Sequence, residues 1–141
     1  MAKSGPIVFI EDDLDDQEFV REVISRLDVK NELIFFTRAM DAFDFLKSSN
    51  VQPLIIFSDV NLPLMNGLEF KLMLDADLEL RARSIPFVFF STSVDKLSVE
   101  QAFKHMTVQG FFQKSAGLNE LQKTIGTILD YWLISKHPNN M

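Results

Sequence analysis

At 141 residues the chain is one domain's worth, long enough for a real core and too short for two ordinary domains. Its composition, 47% hydrophobic and 24% charged, is that of a soluble globular protein. A net charge of -6 argues against a nucleic-acid partner, whose phosphates would have to be offset by Lys and Arg. The absence of cysteine excludes disulfides and thiolate metal sites; the apolar run before Glu11 is too short for a secretory signal or for the about 20 residues of a membrane span, so a cytoplasmic location is expected.

Short apolar runs alternate with helical periodicity from one end to the other, with no repeat or linker, which predicts a single domain over residues 1–141. Ile7-Val8-Phe9-Ile10 reads as a buried strand ending at Glu11, Asp12 and Asp13. Phe19, Val20, Val23, Ile24 and Leu27 then follow at helical spacing, with Asp15 or Asp16 suited to the N-cap and first turn. Leu33 to Phe36 is a second strand, and Ala39, Ala42, Phe43 and Leu46 form the stripe of a second helix. Leu54-Ile55-Ile56-Phe57 is a third strand, apolar on both faces and closed by Ser58-Asp59. A loop with Pro63 and Gly67 leads to a third helix carrying Leu68, Leu72 and Leu78.

Pro86 opens a fourth strand, Phe87 to Phe90, which ends in Ser91-Thr92-Ser93. A weakly patterned helix spans Leu97 to Met106, Gly110 to Gln113 is a fifth strand ending at Lys114, and Leu118 to Trp132 is a long amphipathic helix. The tail after Trp132, ending His137-Pro138-Asn139-Asn140-Met141, reads as a frayed terminus. Five strands alternating with five helices predict an α/β fold, a doubly wound parallel sheet with the flavodoxin-like order 2-1-3-4-5. Ligands in such sheets bind beyond the carboxyl ends of the strands.

Four of those ends carry chemistry: Glu11-Asp12-Asp13, Asp59, Ser91-Thr92 and Lys114. Crowded carboxylates repel unless a cation offsets them, and a hard divalent ion with oxygen ligands does so, Mg2+ being the natural candidate. An aspartate can also attack phosphorus, forming an acyl phosphate, while Mg2+, Lys114 and the Ser91 hydroxyl neutralise the transferred group. Singly, each residue has a plainer reading: the acids as a helix N-terminus, Asp59 as a turn residue, Lys114 as a solvated side chain. Their joint appearance on one sheet rim favours the chemistry.

From Ile7 to about Trp132 the chain resembles the receiver domains of bacterial response regulators. The most specific element is Asp59-Val60-Asn61-Leu62-Pro63-Leu64-Met65-Asn66-Gly67, an aspartate closing an apolar strand with Leu-Pro shortly after and Gly eight positions on. The resemblance implies Asp59 as phosphoacceptor and Asp12 as a direct Mg2+ ligand. Glu11 would act through a bound water, with Asp13 as a substitute in the acidic pair, and the backbone carbonyl of Asn61 would be a further ligand. Ser91 would be the switch hydroxyl, Lys114 the partner of a phosphoryl oxygen, and Phe111 the rotating aromatic coupled to Ser91. The expected donor is a sensor histidine kinase or a histidine phosphotransfer protein. With no output domain expected in 141 residues, the signal would pass to a partner protein through the face made by the fourth helix, fifth strand and last helix, near Lys104 and Phe111. The last helix could also support a homodimer.

Two departures stand out. Ser115 follows Lys114 where the family usually has Pro; a cis non-proline bond costs about 3–4 kcal/mol, which favours a trans bond and a differently shaped loop. Phe111 replaces the common Tyr and offers no hydroxyl. The competing readings are a degenerate receiver that binds partners without phosphorylation and a Mg2+-dependent aspartyl-phosphate phosphatase. Asn61 counts against the phosphatase, since it stands where such enzymes place an acidic Asp; the expectation is therefore no enzyme beyond self-phosphorylation and self-dephosphorylation. A flavodoxin is disfavoured because no Ser/Thr/Gly-rich loop follows the first strand.

Overall fold

The structure, a computed structural model, describes residues 2–92, 94–114 and 117–138. Five parallel strands form one sheet in the order β2-β1-β3-β4-β5: β1 Ile7–Ile10, β2 Leu33–Phe36, β3 Ile55–Ser58, β4 Phe87–Ser91 and β5 Gly110–Gln113. This is the flavodoxin-like order expected from the sequence. Every residue of β1, β3 and β4 is buried, because the three central strands have helices over both faces.

Alternation along the strands divides the core in two. On one face Ile7, Phe9, Ile55, Phe57, Val88 and Phe90 pack under α1 (Leu14–Ser25) and a long C-terminal helix, which contributes Leu121, Ile125, Ile128 and Leu129. On the other, Val8, Ile10, Ile56, Phe87 and Phe89 meet α2 (Ala39–Ser48) and α3 (Gly67–Ala76). Phenylalanine fills the first layer efficiently: Phe9 stacks on Phe57 at 4.5 Å between ring centroids, and Phe57 meets Phe90 edge-on at 6.0 Å.

The helices depart from expectation at three points. Asp13, rather than Asp15 or Asp16, caps α1: its side chain accepts from the backbone N–H groups of Asp15 and Asp16. Phe19 lies on the outer face of that helix, 40% exposed, while the inner face is Gln17, Val20, Val23 and Ile24. The third expected helix is two. Helix α3 stops at Asp77, whose extended backbone and side-chain bond to the Leu80 N–H start a short α4, Leu78–Ala82. Phe70 and Leu74 make the buried stripe of α3, and Leu72 and Leu78 face solvent. With α5 (Lys96–His105) and α6 (Leu118–Ile134) the described residues hold six α-helices where five were expected. The tail does not fray directly after Trp132: α6 runs on to Ile134 and the His137 ring Nε2 lies 2.6 Å from the Ser84 carbonyl oxygen, while residues 139–141 lie outside the described residues.

Candidate functional site

The sheet's own register assembles the site. Ile10 pairs with Ser58, so the residues that follow, Glu11 and Asp59, emerge side by side from the two central strands. The ladder bonds run on into the loops: the Asp59 N–H donates to Ile10 O at 3.0 Å, and the Lys114 N–H to Ser91 O at 2.8 Å. Glu11, Asp59, Ser91 and Lys114 thereby meet on one rim, as their strand positions predict.

Asp59 is buried, and both its carboxylate oxygens are bonded. Oδ1 accepts from the Ser91 hydroxyl and from the backbone N–H of Asn61, each at 3.0 Å; Oδ2 accepts from the Lys114 ammonium, also at 3.0 Å. Lys114 also donates to Glu11 Oε1 and, at 3.3 Å, to Asp16 Oδ2. Burial pushes the Glu11 carboxyl up to about 7, outweighing the pull of Lys114. Burial works against the Lys114 charge too, but the hydrogen bond and charge of Glu11, with those of Asp59, hold its pKa above the usual lysine range.

Asp12 is exposed, yet it brings a carboxylate oxygen within 4.8 Å of those of Glu11 and Asp59. Three carboxylates, with Asp16 close by, thus face one ammonium, so the rim has an excess of negative charge and donors that are all oxygen. That set fits a hard divalent cation. Asn61 is exposed, with its backbone N–H already turned to Asp59. Phe111 is half-buried; it pairs in register with Phe89, and their rings lie 5.4 Å apart. Phe89 and Ser91 share a face of β4, which puts Phe111 on the same side of the sheet as the hydroxyl. Ser115 lies outside the described residues, as does its bond to Lys114.

Three residues of the site escape a motif reading. Gln17 donates its side-chain amide to the Glu11 carbonyl at 2.7 Å, the Ser58 hydroxyl donates to Asp59 O at 2.9 Å, and Asp16 reaches Lys114. The spacing of 17, 20 and 24, with Val20 and Ile24 apolar, was the signal that Gln17 faces inward. Gly67 closes the loop after Asp59: a Cβ there would stand 2.1 Å from the Asp59 carbonyl oxygen.

The response regulator receiver domain family matches residues 7–126. The chain is 28% identical over 118 residues to a response regulatory protein of Vibrio cholerae, an alignment covering 82% of this chain and 46% of that one. It is 31% identical over 93 residues to one of Vibrio parahaemolyticus, covering 64% and 36%. The chain therefore spans less than half the length of either. Among solved structures it resembles the phosphorylated cyanobacterial phytochrome response regulator RcpA, with TM-score 0.83 and 25% identity over 94% of this chain and 96% of that one. It also resembles the Mn(2+)-bound form of response regulator Rcp1, with TM-score 0.81 and 27% identity over 94% and 97%. The chain belongs to the response regulator receiver domain family. Among the described residues no helix is long and apolar enough to cross a membrane.

Proposed function

We propose that Asp59 accepts a phosphoryl group from a histidine kinase or a histidine phosphotransfer protein in the cytoplasm. The observation that carries this is the Asp59 carboxylate itself, buried at the sheet rim with Lys114, Ser91 and the Asn61 N–H aimed at its two oxygens. RcpA in its phosphorylated form and Rcp1 with Mn2+ are relatives that support the same reading. Glu11, Asp12, Asp59 and the backbone carbonyl of Asn61 would hold Mg2+, which when bound offsets the negative charge of the carboxylates and the incoming phosphoryl oxygens.

In the transfer, one Asp59 oxygen forms a bond to phosphorus while the donor's bond to phosphorus breaks. The electron pair leaves with the donor group, which takes a proton from water, and Asp59 becomes an acyl phosphate. Lys114 neutralises one phosphoryl oxygen and Ser91 donates its hydroxyl to another. Ser91 can do so only by leaving Asp59 Oδ1, a displacement that frees space beside Phe89 and Phe111 and biases the face of α5, β5 and α6. No general acid stands at Asn61, so turnover of small phosphorylated substrates is not expected, and the chemistry is the protein's own phosphorylation and dephosphorylation.

The test is incubation with Mg2+ and acetyl phosphate followed by rapid intact-mass measurement, with Asp59→Asn in parallel. A gain of one phosphoryl group that requires Mg2+ and vanishes in the variant is expected. An equal gain in Asp59→Asn, or no gain in the wild type with either acetyl phosphate or a phosphorylated phosphotransfer protein, refutes the assignment.

A further inference from the structure

An ammonium has three N–H donors, and in this protein each of those of Lys114 has a carboxylate to meet: Glu11, Asp59 and Asp16. The three acceptors are not equivalent. The side chains of Glu11 and Asp59 are 6% and 9% exposed, whereas that of Asp16 is 40% exposed and its contact, at 3.3 Å, is longer than the 3.0 Å to Asp59. Asp16 comes from a separate element, the first turn of α1, held in place by the Asp13 cap and by Gln17 bonded to the Glu11 carbonyl. We propose that Asp16 is a positioning residue for Lys114: it holds the third N–H of the ammonium in the unphosphorylated protein and yields it to a phosphoryl oxygen. This rests on the assignment of Asp59 as phosphoacceptor.

The order of exchange follows from solvation. A phosphoryl oxygen bonding to Lys114 must displace one carboxylate. Before the bond to phosphorus forms, Asp59 is still a buried carboxylate, so releasing it or Glu11 from the lysine leaves a buried charge less compensated, while water replaces the lysine readily at the half-open Asp16. Asp16 therefore competes with the phosphoryl group for one hydrogen bond, and its removal frees a donor before transfer begins.

Asp16→Asn and Asp15→Asn remove the same charge from the same helical turn, but the Asp15 side chain makes no ion pair with Lys114, so the second variant reports charge alone. Rates of phosphorylation by acetyl phosphate at saturating Mg2+ are compared, with the side-chain Nζ resonance of Lys114 followed by NMR in the metal-free proteins. Asp16→Asn is expected to phosphorylate about two- to fivefold faster than Asp15→Asn, the range of one partly exposed ion pair, and to be the only one of the two to move the Lys114 resonance. Equal rates in the two variants, or an unmoved resonance in Asp16→Asn, overturn the role of Asp16 and leave Asp59 as acceptor. A wild type that gains no phosphoryl group overturns the acceptor assignment, and the exchange with it.

Discussion

Glu11 makes an ion pair with Lys114, and the ordinary expectation is that neutralising one partner of a buried pair destabilises the fold. The opposite is predicted for the metal-free protein above neutral pH. Burial lifts the Glu11 pKa from 4.5 to about 7 despite the lysine. A group whose folded-state pKa is raised contributes stability that is complete below its unfolded value and is lost as pH rises through the folded value, here between 4.5 and about 7. The full shift corresponds to about 3 kcal/mol. Between about pH 5.5 and about pH 8 the change is about 2 kcal/mol, and water on the open side of the rim reduces it to about 1–2 kcal/mol. Glu11→Gln removes the titration at nearly constant shape. Urea unfolding with a chelator present should find the variant's stability relative to wild type about 1–2 kcal/mol greater at the higher pH than at the lower. A variant destabilised at both, by as much at high pH as at low, would show that the lysine's attraction exceeds the cost of burying the carboxylate, refuting the reasoning.

Two other positions test the frame of the site. Gly67→Ala places a methyl group 2.1 Å from the Asp59 carbonyl oxygen, which is backbone and cannot swing aside. It should cost about 1–3 kcal/mol in urea unfolding and slow phosphorylation by displacing Asp59, and wild-type stability would contradict the close approach. Lys71 lies buried at the far end of the molecule from the rim, donating to Asp75 at 2.8 Å and to Thr107 at 2.9 Å, so that it ties α3 to the turn after α5. Lys71→Met removes a charged hydrogen bond and should cost about 1.5–3 kcal/mol. Burial pushes the Asp75 carboxyl up, but the bonds from Lys71 and Thr107 more than offset it and hold it below the usual range. Its contribution is thus present at neutral pH and lost on acidification, and a Lys71→Met penalty that grows as pH falls would contradict this.

Most of the fold could be read in the chain because strands buried on both faces leave a strong mark. The runs Ile7 to Ile10, Ile55 to Phe57 and Phe87 to Phe90 are apolar without interruption, as strands of a sheet covered by helices on both sides must be. With those strands in place, right-handed crossovers leave little freedom, and the rule that ligands lie beyond the carboxyl ends singles out Glu11, Asp59, Ser91 and Lys114 from the chain alone. Local competition was harder to read. Asp13, Asp15 and Asp16 are all chemically competent caps, and backbone geometry chose Asp13. Asp77 was hidden within a stretch of helical periodicity, where its side-chain bond to the Leu80 N–H ends one helix and begins the next.

The sheet, its order and the residues that reach its carboxyl rim are written in the chain, because they depend on hydrophobic periodicity and on the position of polar residues at strand ends. How the charges on that rim are shared depends on packing. That Lys114 divides its protons among Glu11, Asp59 and Asp16, and that Glu11 rather than Asp12 is the buried acid, depends on distances of a few ångströms between side chains as far apart in sequence as residues 11 and 114. Electrostatic energy varies with separation and with access to water, and neither is defined until the chain has packed.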